Sequence, residues 1–134
     1  MEQADAFVAV WTDDWIFFSR IDGVARHFGD RVLMVKTAAQ CEPLLAGGQM
    51  QGMLVDLQVA GADLERIVRS VRTGVRVVGY GSHIDAASLR AARELGLDPV
   101  MPRSLFVEKM PKEWQAWFGQ APCPIPTAVL GSAP

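Results

Sequence analysis

The chain is short of cysteine, and its charges are not gathered in runs. Only two of its 134 residues are cysteines, and these, Cys41 and Cys123, lie far apart and match no metal-ligand spacing. Two cysteines are too few for a disulfide scaffold and suit a reducing cytoplasm. The lysines and arginines are scattered among acidic residues, and the net charge is −2. We therefore expect neither nucleic acid nor an anionic membrane as a partner.

The chain also lacks a long hydrophobic run. No apolar stretch approaches the roughly 20 residues that a membrane span needs. Residues 1–5 carry acidic side chains where a signal peptide would carry basic ones. We therefore expect a cytoplasmic protein. Half of the residues are hydrophobic and 21% are charged, which suffices for one globular domain with a buried core.

Five short apolar stretches are typical of β-strands, and a helical pattern follows each of them. The first stretch, AFVAVW, is continuously apolar, as a strand buried on both faces is. The next segment repeats Phe17, Ile21, Val24 and Phe28 at the spacing of one helical face. The predicted strands are residues 6–11, 31–36, 53–57, 75–80 and 98–101. Their alternation with five helices predicts a three-layer α/β fold, a doubly wound parallel sheet with helices on both faces.

Prolines shape the predicted helices and the end of the chain. Because proline is comfortable only in the first turn of a helix, Pro43 limits how early the second helix can begin, and Pro111 is expected to open a short final helix. From residue 120 onward prolines recur, so we predict a domain over residues 1–119 and a proline-rich tail or linker over 120–134. The tryptophans are expected in the core rather than in a flat cofactor pocket: Trp11, Trp15, Trp114 and Trp117.

Polar side chains gather where the predicted strands end, which is where such folds bind ligands. Three converging carboxylates need a cation, and Mg²⁺ held by Asp13, Asp14 and Asp56 would balance their charge. A phosphoryl group could then be transferred to Asp56, while Arg103 pairs with its oxygens and Ser82 donates a hydrogen bond to it. Alternatively, Asp13 or Asp14 only caps a helix and Asp56 only accepts from loop amides.

Two further observations concern the same edge. His83, beside Ser82, could donate to an anion, although a single loop histidine is more often incidental. A nucleotide or flavin site would favour a phosphate loop rich in glycine or hydroxyls after the first strand. Asp13 and Asp14 stand there instead, which argues against nucleotide binding.

The order of these features resembles a receiver domain of two-component response regulators, the CheY-like family, over residues 5–119. The resemblance depends on the acidic pair after the first strand, on the segment LVDLQVAG, and on Gly96-Leu97-Asp98 leading through Pro102-Arg103-Ser104 into the last helix. It implies a flavodoxin-like fold with strand order 2-1-3-4-5. It places Asp56 at the phospho-acceptor position and Asp14, with Asp13, at the metal-binding pair, with Mg²⁺ as the metal.

The resemblance also implies how such a domain acts. It implies a sensor histidine kinase or another signalling protein as the partner, and no enzymatic activity beyond self-phosphorylation and dephosphorylation of Asp56. A homodimer would form through the helix at 85–95, the strand at 98–101 and the last helix.

Four positions depart from the family pattern. Gly81 stands where receivers have threonine or serine, with Ser82 one position later. Arg103 stands where receivers have an invariant lysine, so a planar guanidinium takes the place of a compact ammonium. Ser104 replaces the proline after that lysine, and Val100 replaces an aromatic switch residue. These departures indicate an atypical or pseudo-receiver that acts through protein–protein interaction. The alternatives are a flavodoxin-like module that binds a small ligand or cofactor, and a degenerate domain kept as an interaction scaffold.

Overall fold

A computed structural model of the chain describes residues 6–119. Its strands are β1 (Phe7–Trp11), β2 (Val32–Val35), β3 (Met50–Asp56), β4 (Arg76–Gly81) and β5 (Val100–Pro102). Its helices are α1 (Trp15–His27), α2 (Ala38–Ala46), α3 (Leu57–Ala60), α4 (Leu64–Arg69), α5 (Ala86–Glu94) and α6 (Arg103–Phe118). One turn of 3₁₀ helix, Gly61–Asp63, joins α3 to α4. The predicted proline-rich tail at 120–134 lies outside the described residues.

The five strands form one parallel sheet in the order β2-β1-β3-β4-β5. This confirms the predicted doubly wound, flavodoxin-like architecture. The strand order reverses at β1 and β3, so their carboxyl ends lie at the switch point where ligands bind in such folds. Asp56 ends β3 there and pairs in register with Tyr80 on β4.

Two apolar cores lie on opposite faces of the sheet. On one face, α1 and α6 pack their aromatic and aliphatic side chains against Val8, Val10 and Leu54. On the other face, the helices from α2 to α5 pack against Ala9, Met53 and neighbouring residues. The alternating side chains of β1 and β3 therefore supply both cores, which explains why these strands are apolar throughout.

Short polar side chains fix where the helices begin. Asp14, Thr37, Asp56 and Asp85 each accept a hydrogen bond from a backbone N–H in the first turn of α1, α2, α3 and α5, respectively. Each cap satisfies one of the amides that a helix N-terminus leaves without an intrahelical acceptor. The cap at Asp56 starts α3 directly after β3, so the prediction that Leu57 belongs to the strand was wrong.

The last helix begins eight residues before Pro111, at Arg103, so the prediction of a short helix opened by Pro111 was wrong. Pro111 has no N–H to donate to the Val107 carbonyl, a defect that costs about 3 kcal/mol in a helix interior. The helix continues because its buried face packs Phe106, Met110 and Trp114 into the core. Pro43 likewise lies inside α2 rather than in its first turn.

Three of the four tryptophans are in the core as predicted, namely Trp11, Trp114 and Trp117. Trp15 is not, since 61% of it is exposed at the start of α1. Its ring lies 5.4 Å from the ammonium nitrogen of Lys36, a cation–π contact at the surface. Among helices within residues 6–119, none combines the length and the hydropathy needed to cross a bilayer.

A close contact between β3 and the end of α6 yields a stability prediction. A Cβ added at Gly52 would lie 2.2 Å from the Phe118 ring, so Gly52→Ala should lower the free energy of unfolding by about 1–3 kcal/mol through overpacking. Urea denaturation measures the change. The matched control is Gly23→Ala in α1, where a Cβ meets nothing within 4 Å and helix propensity should add about 0.5–1 kcal/mol. If the two substitutions change the free energy of unfolding equally, the close contact between Gly52 and Phe118 would be contradicted.

Candidate functional site

A cavity of about 560 Å³ opens at the carboxyl edge of the sheet. It is lined by five of the six side chains singled out from the sequence: Asp14, Asp56, Ser82, His83 and Arg103. The sixth, Asp13, is exposed and does not line it. The loops after β1, β3, β4 and β5 therefore meet as the parallel topology predicts.

Asp56 lies at the floor of this cavity and is only 7% exposed. One carboxylate oxygen accepts from the Gln58 amide at 3.1 Å, and the other lies 3.5 Å from the Thr12 hydroxyl. Burial raises the pKa of Asp56 above its usual range, whereas the Gln58 and Val59 amides and the Arg103 charge act to lower it. Asp56 is thus a desolvated carboxyl whose negative charge is only partly compensated.

Asp14 uses both of its carboxylate oxygens. Oδ1 accepts from the Phe17 amide at 2.9 Å and so caps α1, and Oδ2 accepts from Nη2 of Arg103 at 2.8 Å. The Phe17 amide, followed by Arg103, lowers the pKa of Asp14. The capping role that the sequence left open for this residue is therefore present, together with an ion pair that the sequence did not indicate.

Arg103 extends from the first residue of α6 across the mouth of the site. Its guanidinium carbon lies 4.1 Å from the centroid of the Phe17 ring and 6.0 Å from that of Tyr80. A planar guanidinium can stack on an aromatic face and hold a carboxylate at its edge at the same time, which a lysine ammonium cannot do in the same way. Arg103 thereby joins α1 to α6 beside Asp56.

Thr12 and Tyr80 belong to the site but were not singled out from the sequence. Thr12 is fully buried, and its hydroxyl accepts from the Asp14 amide while it faces Asp56. Tyr80 lines the cavity and stacks on Phe106 at 4.6 Å, and burial followed by the Asp56 charge raises its pKa. Tyr80 is the chain's single tyrosine and comes at the end of a strand, a signal that could have identified it.

Ser82 lies on the cavity wall, but its hydroxyl accepts from the Ile84 amide at 3.3 Å within its own loop. Its predicted contact with a phosphoryl group therefore stays a prediction. His83 is exposed beside it.

A divalent metal at this edge of the sheet would need several oxygen ligands. Within residues 6–119, no group of three or more acidic, histidine or cysteine side chains is placed to hold one. Asp14 already contacts a backbone amide and a guanidinium, and Asp13 does not line the cavity, although its charge acts to raise the pKa of Asp56. A Mg²⁺ ion held by Asp14 and Asp56 would therefore have to compete with Arg103 for Asp14. The magnesium site at Asp13, Asp14 and Asp56 stays a prediction.

Comparisons with known proteins find similarity in structure. No protein-family model and no curated protein matches the chain. A response regulator from Thermotoga maritima is similar with a TM-score of 0.71 at 14% identity, over 86% of this chain and 98% of that one. The receiver domain of a Saccharomyces cerevisiae response regulator, crystallised with a histidine phosphotransfer signalling protein, is similar with a TM-score of 0.70 at 14% identity, over 85% and 89%.

A third similar structure is a Burkholderia pseudomallei response regulator with a phosphorylated aspartic acid, a calcium ion and citrate. Its TM-score is 0.65 at 16% identity, over 84% of this chain and 72% of that one. At such identities the likeness establishes the fold. The chain therefore has the CheY-like fold of response-regulator receiver domains, as predicted.

The opposite pKa shifts of Asp56 and Asp14 predict opposite effects of amide substitution at neutral pH. A raised folded-state pKa means that charged Asp56 opposes folding, so Asp56→Asn should raise the free energy of unfolding at pH 7. A lowered pKa means that charged Asp14 favours folding, so Asp14→Asn should lower it. As the pH falls, the Asp56 difference should shrink between its raised folded-state pKa and the ordinary carboxyl pKa. The Asp14 difference should shrink only below the ordinary pKa and vanish below its lowered folded-state pKa. Urea denaturation at several pH values measures them, and a destabilising Asp56→Asn at pH 7 would contradict the burial cost.

Proposed function

We propose that this chain is an atypical receiver domain of phosphorelay signalling, with Asp56 as the phospho-acceptor and protein–protein contact as its output. The receiver fold and the position of Asp56 at the carboxyl end of β3 support the proposal. The observation that carries it is the Arg103–Asp14 ion pair, which bridges α6 and α1 directly beside Asp56.

In this proposal, an oxygen of the ionised Asp56 attacks the phosphorus of a phosphohistidine. The phosphorus–nitrogen bond breaks, and the histidine leaves with the electron pair. The phosphoryl group then adds negative charge beneath Arg103, where bidentate pairing with its oxygens competes with Asp14 for the guanidinium. Loss of the pair with Asp14 releases the start of α6 from α1. Phosphorylation thus changes the surface that α1 and α6 present together.

The partner class follows from the same proposal. A structurally similar receiver domain was crystallised with a histidine phosphotransfer protein. We infer that a sensor histidine kinase, or another signalling protein with a phosphorylated histidine, docks at the carboxyl edge of the sheet. Ile16 and Ile84 are exposed there by 85% and 82%, which provides apolar area for such a contact.

The proposed homodimer uses a different face, formed by α5, β5 and α6. A shallow groove on this face is lined by Val100, Met101, Leu105 and Trp117, among others. Leu105 is 36% exposed there. Lys109 and Glu113 also line the groove, and their opposite charges suit pairing with a second copy of the same face across a twofold axis.

Acetyl phosphate tests the acceptor. In the presence of Mg²⁺, the wild-type chain should form an aspartyl phosphate slowly, and Arg103→Lys should form it about tenfold faster, equivalent to a barrier lower by about 1.4 kcal/mol. The reason is that a lysine ammonium cannot stack on the Phe17 ring and hold Asp14 at the same time as Arg103 does, so Asp14 is held less firmly. Intact-protein mass spectrometry measures the adduct over time. Asp56→Asn is the control and should form none; an adduct that persists in this variant would exclude Asp56 as the acceptor.

A magnesium titration tests the role of Arg103 as the counter-ion. Millimolar Mg²⁺ should change the tryptophan fluorescence of the wild-type chain little, whereas Arg103→Ala should bind Mg²⁺ about tenfold more tightly because Asp14 loses its cationic partner. Trp15, exposed next to Asp14 in sequence, is the reporter. Arg90→Ala on α5 is the matched control and should behave as wild type. Equal magnesium affinity in all three chains would show that Arg103 does not take the place of a metal.

A further inference from the structure

Two arginines on the cavity wall carry donors that no described residue uses. Arg20 is exposed on α1, lines the cavity, and has no ion pair or hydrogen bond within residues 6–119. Arg103 uses one amino group on Asp14, whereas a guanidinium presents several N–H donors in a planar fork. These spare donors suit the oxygens of a carboxylate or phosphate.

The hydroxyl of Tyr80 is a second group without a partner. Tyr80 lines the cavity and is 1% exposed, and its oxygen has no hydrogen-bond partner among the described residues. Thr12 lies close enough to lower the pKa of Tyr80, but its hydroxyl does not form a hydrogen bond with that of Tyr80. A buried hydroxyl without a partner is unfavourable, so a bound molecule that supplies one polar atom would be stabilised.

The size and the remaining lining of the cavity indicate an organic molecule rather than an inorganic ion. A volume of about 560 Å³ is within the range of small-molecule sites and far exceeds one phosphate ion. Ile16, Phe17 and Val107 give the wall an apolar part beside the arginines. Ile16 is 85% exposed, so an apolar group bound against it would be removed from water.

We propose that this cavity binds a small organic anion, a carboxylate or phosphate ester attached to an apolar or aromatic group. Its oxyanion pairs with Arg20 and the spare donors of Arg103, its apolar group covers Ile16 and Val107, and one polar atom reaches the Tyr80 hydroxyl. Arg103 balances the charge of Asp14, and the Asp56 oxygens face the Gln58 amide and the Thr12 hydroxyl, so the oxyanion binds on the Arg20 side of the cavity. The site needs no phosphoryl group on Asp56 and therefore goes beyond the proposed function.

Titration of the full chain with phenyl phosphate tests the site. Inorganic phosphate and phenol, titrated separately at the same ionic strength, supply the anion alone and the ring alone. NMR shifts of the backbone amides should follow the cavity lining, and phenyl phosphate should bind about tenfold more tightly than either fragment. Benzoate, titrated in parallel, identifies which oxyanion is favoured. Equal affinity for phenyl phosphate and inorganic phosphate, or shifts located elsewhere, would overturn the proposal.

Matched variants measure how much Arg20 and Tyr80 each contribute to the affinity for phenyl phosphate. Arg20→Gln should weaken phenyl phosphate about fivefold or more, whereas Arg90→Gln, an exposed arginine away from the cavity, should leave affinity unchanged. Tyr80→Phe removes only the hydroxyl and should weaken binding severalfold. If Arg20→Gln and Arg90→Gln behave alike, the site is not the one proposed. Asp56→Asn removes a negative charge from the cavity and should bind phenyl phosphate more tightly although it cannot be phosphorylated, so this proposal and the proposed function fail separately.

Discussion

One constraint determines the arrangement at the carboxyl edge of the sheet. It is the burial of one carboxylate at the end of a central strand. Asp56 ends β3 between two neighbouring strands, where water reaches little of it. A charge in such a position must be met by dipoles or by an opposite charge. The start of α3 supplies amides, the buried hydroxyl of Thr12 faces one oxygen, and Arg103 supplies the positive charge nearby. The amides at the start of α3 and the stacked guanidinium of Arg103 therefore both stabilise the Asp56 carboxylate.

Local sequence patterns were sufficient for the architecture. Apolar runs separated by helical repeats predicted the parallel sheet, because a strand buried on both faces and an amphipathic helix differ in period. The convergence of Asp14, Asp56 and Arg103 followed from topology alone, since the ends of parallel strands share one edge. Even the capping of α1 by Asp14 was an open alternative, because a cap involves residues only three positions apart.

The remaining features depend on contacts between residues far apart in the chain. The Arg103–Asp14 pair joins residues 89 positions apart, and no local pattern indicates such a pair. The course of α6 through Pro111 depends on the burial of its aromatic face, which outweighs a local preference that would end the helix. The exposure of Trp15 reflects which side of α1 faces the sheet, a matter decided by packing.

The two ends of α6 are held in different ways, and this has a mechanical consequence. Its last residue, Phe118, fills the space that Gly52 leaves on β3, a contact with no room for a Cβ. Its first residue, Arg103, is held by an ion pair and by stacking, both of which another anion can replace. Between them, Pro111 interrupts the hydrogen bonds along the helix. A disturbance at the site should therefore move the first two turns of α6 and leave Phe118 in place against β3.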